Sequence, residues 1–332
     1  MQRFEKYLSG YGFVQGTKTL DIAKQFGCKV YNFKWCDDFA KARNYAFSKA
    51  KCDYVMWLDA DDIVPTQTLK FLKKLKNSMY ADCYMLRYDI AFVGDKPTFS
   101  YFRERILKNC DNAVWQGRVH ECIVPFGKIE HLNCSIEHRK TNFKKSNRNL
   151  KIYQKLKKER QLNPREQYYY SRELYDHKKY KQAIKEFNKF INSKQGWKEN
   201  VIDALFLLAE CYLQLNDINN YLLSLFKTFQ YDLPRANVCC KIGDYFLNNK
   251  NYEIANYWYL QATKAQDVTN KGGFVENLYY NYYPYLQLCV CSYNLGKIKD
   301  AILYNEMAGK FVNDSQIVKN NKLFFEKLKV EI

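Results

Sequence analysis

Hydrophobic and polar positions along this chain change their period once. Up to about Lys140, short apolar runs of strand length alternate with segments of helical spacing, and beyond it almost everything reads as amphipathic helices joined by short polar turns. In the first part the pattern predicts helices at Thr19–Phe26, Phe39–Ala50 and Gln67–Lys76. Strands are predicted at Lys29–Phe33, Tyr54–Leu58, Cys83–Phe92, Phe99–Leu107 and Lys128–His138. Strands that alternate with helices and then give way to a β-rich tail imply a largely parallel sheet with mixed additions.

The second part carries a loose internal repeat. Tyr180 with Ala183, Ile218 with Leu222, Tyr252 with Ala255 and Ile298 with Ala301 each follow a turn of Asp, Asn, Lys or Gly and open a second helix. Successive units lie 38, 34 and 46 residues apart. That is near the period of about 34 of tetratricopeptide helix pairs, in which a small residue sits where two helices approach closely. Stacked pairs of this kind build an all-α solenoid. The boundary falls near Arg139–Ser146, dividing the chain into residues 1–140 and 141–332.

A chain of 332 residues, 47% hydrophobic and 27% charged, is long and apolar enough for two folded cores. Its 53 Lys and Arg against 35 Asp and Glu give a net charge of +18, which favours anionic partners. The basic residues are spread out, with moderate clusters at Arg139–Lys151 and Lys155–Arg160, and neither a zinc-finger spacing nor an aromatic RNA-binding signature accompanies them. Nucleic acid is therefore not the expected partner. The 12 cysteines lack the paired two-residue gaps of zinc sites, and Cys211, Cys289 and Cys291 fall in apolar helical patterns where a free thiol packs as a small hydrophobe. With no charged-then-apolar leader and no apolar run of membrane-spanning length, the expectation is a reduced, cytoplasmic chain.

One stretch stands apart chemically. Tyr54-Val-Met-Trp-Leu-Asp59-Ala-Asp61-Asp62 is a buried-strand run that ends in three carboxylates. Carboxylates cannot enter a core unpaired, so they belong at the carboxyl end of the strand, where open α/β sheets hold their ligands. Asp59 and Asp61 lie two apart, which on an extended backbone turns both side chains to one side. A divalent cation, Mg²⁺ or Mn²⁺ shared with substrate phosphates, suits such oxygens. The structural alternative is that Asp62 is an acid at the start of the helix opened by Pro65.

The residues Trp35-Cys-Asp37-Asp38-Phe39-Ala-Lys-Ala-Arg43-Asn44, then Leu58-Asp59-Ala-Asp61-Asp62, then Arg105-Ile-Leu-Lys-Asn, Trp115-Gln-Gly117-Arg-Val-His120-Glu121 and Ile136-Glu-His138 resemble family 2 glycosyltransferases. The resemblance is to the subgroup in which a GT-A catalytic domain precedes tetratricopeptide repeats. It implies an α/β GT-A-like domain with an incomplete Rossmann-like mixed sheet, followed by the helical solenoid. It further implies that Asp59 and Asp61 bind a divalent metal bridging the diphosphate of a nucleotide-sugar donor, with His138 completing the metal shell. Glu121, or His120 in competition with it, takes the place of the base that deprotonates an acceptor hydroxyl as the anomeric carbon inverts. Arg43, Asn44, Asp38 and Asp59 are carried to the nucleotide side. The acceptor, a glycan, protein or lipid-linked group, is not named by these residues, and the repeats would recruit it or a protein partner.

Each assignment has a structural counterpart. Asp37 and Asp38 suit the N-cap of the Phe39–Ala50 helix, Arg43 can pair with Asp38, Trp115 suits packing beneath the site, and His131 and His177 carry no motif. The family pattern also opens with an apolar strand and an Asp-x-Gly-Ser-x-Asp-type loop, whereas this chain has Gly12 where the nucleoside-binding Asp stands. The first βαβ unit is thus expected to be shortened. Two functions remain: a metal-dependent inverting glycosyltransferase, and a non-catalytic tetratricopeptide adaptor carrying a degenerate transferase domain.

Overall fold

Strands that are apolar on both faces need a packed layer on each side, and the first part of the chain supplies both. A computed structural model of the protein describes residues 17–93, 96–139, 146–266, 268, 275–312 and 314–330. Their packing forms two units, Met1–Ile90 with Tyr101–Tyr170, and Ala91–Ser100 with Ser171–Ile332. The stretch Tyr11–Gly16, with Gly12, lies outside the described residues.

In chain order the first unit contains α1 (Thr17–Gln25), α2 (Phe39–Phe47), β1 (Tyr54–Met56), β2 (Asp62–Ile63), α3 (Thr66–Leu75), most of β3 (Cys83–Val93) and β4 (Lys96–Lys108), whose adjoining ends fall in the second unit, β5 (Trp115–Gln116), β6 (Cys122–Ile123), β7 (Ile129–His138) and α4 (Arg148–Glu159). The main sheet runs β1-β4-β3-β7-β2. Side chains alternate across it. Val55, Trp57, Cys83 and Leu107 enter one core with Ala40 of α2 and Trp115 of β5. Met56, Tyr84, Ile106 and Ile136 enter the opposite core with Leu72 of α3.

The sheet is mixed, yet less parallel than the pattern suggested. β3 pairs with β7 in parallel, whereas β1 with β4 and β2 with β7 are antiparallel. No strand forms at Lys29–Phe33. A strand exists only where a neighbour supplies ladder hydrogen bonds, and among the described residues β1 pairs with β4 alone.

The second unit is helical: α5 (Pro164–Asp176, beginning in the first unit), α6 (Tyr180–Asn192), α7 (Lys198–Gln214), α8 (Ile218–Lys227), α9 (Ala236–Asn248), α10 (Tyr252–Lys264), α12 (Tyr282–Asn294), α13 (Ile298–Gly309) and α14 (Gln316–Val330). A short strand β8 (Val275–Glu276) and helix α11 (Asn277–Tyr280) precede α12. Tyr180, Ile218, Tyr252 and Ile298 are the first residues of α6, α8, α10 and α13, so the repeat read from sequence is the repeat of the fold. Each pair turns in the same way. Lys178, Asn216, Lys250 and Gly296 all take a left-handed conformation, φ 58°, 59°, 58° and 74°. The next amide then reaches back to the preceding helix, Lys179 to Leu174 O, Asp217 to Tyr212 O, Asn251 to Phe246 O and Lys297 to Ser292 O, each at 2.9 Å. This is a Schellman closure that satisfies carbonyls left over at the helix end.

Ala183, Ala255 and Ala301 are fully buried at the helix contacts. In the second pair the equivalent place belongs to Tyr221 rather than Leu222, because Tyr221 stands three after Ile218 and is buried, its hydroxyl bonding Lys241 O at 3.0 Å. All the described cysteines are free, and burial pushes the thiols of Cys211, Cys239 and Cys291 up to about 12, as expected of packing groups. No helix among the described residues is long and apolar enough to cross a membrane.

The boundary read from sequence near residue 140 and the division by packing near residue 170 differ by α4 and the start of α5. Tyr153 on α4 bonds Val119 O at 3.1 Å, and Arg165 on α5 bonds His120 O at 3.1 Å. α5 itself starts on a capping box: Asn163 and Glu166 exchange side-chain to backbone bonds at 2.9 Å, with Pro164 at the first helical position.

Candidate functional site

The apolar run Tyr54–Leu58 carries the chain to the edge of the sheet and then turns sharply. The Asp62 amide bonds Asp59 O at 3.0 Å and the Asp59 amide bonds Asp62 Oδ2 at 2.9 Å. The backbone is thus a closed turn over Asp59–Asp62, not the extended segment that the two-residue spacing assumed. Asp59 and Asp61 consequently meet different partners.

Asp59 faces Arg43. The Arg43 guanidinium bridges Asp59 Oδ1 at 2.7 Å and Glu121 Oε1 at 2.6 Å, and it lies over the rings of Trp115 at 4.6 Å and Trp57 at 5.1 Å. Burial pulls its pKa down, but the two carboxylates outweigh that and hold it above the ordinary arginine value. Trp115 is buried and packs edge-on against Trp57, 4.9 Å between centroids. It therefore forms the floor beneath Arg43. Asn44 holds that floor in register by exchanging two bonds with the Trp115 backbone, 2.9 and 3.0 Å.

Asp61 and His138 come together with Asp62. Asp62 pairs with His138 across β2 and β7, and His138 Nδ1 lies 3.5 Å from both Asp61 Oδ1 and Asp62 Oδ1. One ligand atom from each of the three residues lies within 4.8 Å of the others. His138 Nδ1 is buried without a hydrogen-bond partner. An orphaned nitrogen beside two carboxylate oxygens is a donor set that fits a divalent cation tolerant of mixed N and O ligands.

Asp62 does not act as the helix-dipole acid considered above. It belongs to β2 and its side chain is fully buried, paired with Arg105 at 2.8 Å, while α3 starts at Thr66 without a side-chain cap. Asp38 is the N-cap of α2, its Oδ1 accepting the Lys41 amide at 2.9 Å. Asp37, at φ 56°, accepts from Trp35 Nε1 and Lys155 Nζ, both at 3.1 Å.

His120, also left-handed at φ 51°, stacks on Tyr169 at 4.4 Å and 11°. Glu121 is turned toward Arg43, and so the adjacent His120 and Glu121 serve different surroundings. His131 packs edge-on to Phe102, and the Nδ1 of His177, the residue after α5, lies at hydrogen-bonding distance from Glu173 O of that helix. Three residues of this region were not singled out from sequence for the part they play here: Trp57, Tyr88 and Arg105. The available signal was an arginine directly before the apolar pair Ile106-Leu107 in a strand, a charge that is seldom buried without a partner.

Residues 16–177 match Glycosyl transferase family 2. The chain is 26% identical over 230 residues to the SPbeta prophage-derived glycosyltransferase SunS of Bacillus subtilis (strain 168), a match covering 64% of this chain and 52% of that protein. It therefore spans about half the length of that relative. A TPR repeat-containing protein of Synechococcus elongatus is 28% identical over 107 residues, 32% of this chain and 26% of that protein. Among solved structures, MamA is similar with a TM-score of 0.38 and 14% identity, over 48% of this chain and 79% of that one.

Proposed function

Since residues 16–177 form a family 2 glycosyl transferase domain and the helices after it form tetratricopeptide-like pairs, we propose that the chain is an inverting, metal-dependent glycosyltransferase that uses a nucleotide-sugar donor. The observation that carries this reading is the Arg43 bridge between Asp59 and Glu121, at 2.7 and 2.6 Å, one turn of chain away from the Asp61, Asp62 and His138 cluster. Asp61 and His138 would hold Mg²⁺ or Mn²⁺, with Asp62 behind them. When bound, that cation supplies Lewis-acid stabilisation to the leaving diphosphate.

The chain's own groups divide the remaining work. Arg43 is the cation placed to meet phosphate oxygens, and Asp59 holds it until they arrive. As Arg43 turns to the donor, Glu121 loses its ion pair and becomes free to take a proton. The acceptor hydroxyl gives that proton to Glu121 Oε1, its oxygen bonds the anomeric carbon from the face opposite the diphosphate, and the bond to the diphosphate breaks with its electron pair leaving on oxygen. The largely buried surroundings of Glu121 and the aromatic floor keep water from competing. The repeats recruit the acceptor or a protein partner.

The test is release of nucleoside diphosphate from a panel of nucleotide sugars. Glu121→Gln is expected to lower turnover by roughly 10²–10⁴ while leaving nucleoside diphosphate binding within a few-fold of wild type, because a positioned base acts only in the transition state. Equal turnover by the variant would remove Glu121 from the mechanism. Absence of turnover with every donor, alongside intact nucleotide binding, would make the non-catalytic adaptor the better reading.

A further inference from the structure

Four neighbouring strands each contribute one side chain to a single polar row: Arg105 from β4, Tyr88 from β3, His138 from β7 and Asp62 from β2, in the order in which those strands lie. Asp62 is the hub. Its Oδ2 accepts from Arg105 Nη1 at 2.8 Å and from the Asp59 amide at 2.9 Å, and its Oδ1 accepts from the Tyr88 hydroxyl at 2.7 Å. A carboxylate offers about four acceptor sites. Three are occupied, and the fourth is on Oδ1, the atom 3.5 Å from His138 Nδ1.

Arg105 binds both ends of the turning segment. Besides Asp62 it donates to Trp57 O at 3.3 Å, and its guanidinium lies between the Trp57 ring at 3.7 Å and the Tyr88 ring at 4.2 Å. Both members of the ion pair have fully buried side chains, and two further guanidinium nitrogens, Nε and Nη2, have no hydrogen-bond partner. A buried ion pair is a poor source of stability compared with an apolar pair of the same volume. What this one does supply is a fixed path for the backbone from Trp57 to Asp62.

We infer that Asp62 and Arg105 are positioning residues: rather than holding the ligand, they lock the Asp59–Asp62 turn and so set where Asp61 and His138 stand. The part of this inference that concerns a cation rests on the function proposed above, whereas the part that concerns the turn does not.

Two measurements on the full chain separate the two. Amide hydrogen exchange, read by NMR without metal, reports the Asp59 amide. Calorimetric titration of Mn²⁺ in the presence of a nucleoside diphosphate reports the cation site. Asp62→Ala and Arg105→Lys are compared with Asp61→Asn. Because Asp62→Ala strands Arg105 in the core and can unfold the unit, the double variant Asp62→Ala/Arg105→Met, which removes both charges, is measured beside it.

Loss of the lock is expected to speed Asp59 exchange at least tenfold and to weaken Mn²⁺ by roughly 10–100-fold, the range typical of groups that orient a ligand. Asp61→Asn is expected to abolish Mn²⁺ binding with Asp59 exchange unchanged. If Asp62→Ala or the double variant abolishes Mn²⁺ binding while Arg105→Lys, which keeps the Asp62 acceptor of the Asp59 amide, speeds Asp59 exchange and leaves Mn²⁺ affinity as in wild type, Asp62 is itself a ligand and the inference is wrong. If these variants and Arg105→Lys only lower the melting temperature, leaving exchange and affinity as in wild type, the pair is merely structural and the inference is again wrong. Should wild type bind no Mn²⁺ at all, the cation reading fails, and the exchange result alone decides the lock.

Discussion

The two units of this chain differ in the range of the bonds that recur in them. In the sheet unit the decisive bonds join residues far apart in sequence, 43 positions for Arg105 with Asp62, 26 for Tyr88 with Asp62 and 78 for Arg43 with Glu121. In the helical unit the recurring device is the turn, closed within five positions by the same backbone bond in all four pairs. A unit of the first kind gains or loses its site as a whole, because each group leans on partners from other strands. One of the second kind tolerates local change, since each pair contacts mainly its neighbours.

That contrast is easiest to break at Trp57. Its ring lies against Arg43, Arg103 and Arg105 and its indole N–H bonds Glu104 O. Trp57→Ala is expected to destabilise the sheet unit by about 3–5 kcal/mol, visible in chemical denaturation as an early transition, while the helical transition keeps its midpoint. A shared shift of both transitions would show the units to be cooperative and the contrast false.

A smaller effect is expected in the helical unit at Gly243. A Cβ built there would lie 2.8 Å from the Tyr259 ring, at the close approach of α9 and α10. Gly243→Ala is therefore expected to cost about 1–3 kcal/mol through overpacking, confined to the helical transition. No loss of stability would mean that the helix pair relaxes freely.

Acid sharpens the comparison least. The Asp232 carboxylate accepts from Lys198 Nζ at 3.0 Å and from the Leu233 amide at 2.9 Å, and these bonds lower its pKa to about 2. A carboxyl depressed in the folded state contributes stability above its unfolded pKa of about 4, and that contribution disappears as pH falls through about 2. Asp232→Asn should thus be slightly less stable than wild type at pH 6 and equal to it near pH 2. A difference that persists at pH 2 would assign the effect to packing instead.

Legibility in the sequence followed the range of the interactions. The long strands β3 and β7 and the starts of α6, α8, α10 and α13 stood within a residue of their expected places, because alternation and helical spacing are local signals. Lys29–Phe33 reads as a strand by the same signals and is not one, since pairing is decided by a neighbour that the segment does not encode. The acids after Tyr54–Leu58 were legible as a group, and Asp38 as a cap. Their division of labour was not, because the turn at Asp59 sends Asp59 toward Arg43 and Asp61 toward His138.

By itself the sequence determined the order of the longer elements from α2 onward, the helix-pair repeat with its polar turns, and the concentration of carboxylates where the Tyr54–Leu58 run ends. These follow from side-chain period, helix capping and the inability of unpaired charge to enter a core. Only the tertiary structure decided which carboxylate meets which partner: Arg43 stretched between Asp59 and Glu121, and Asp62 saturated by Arg105, Tyr88 and the Asp59 amide. The physical reason is that a buried charge must be matched in three dimensions, at hydrogen-bonding distance, by groups that strand order brings from distant parts of the chain.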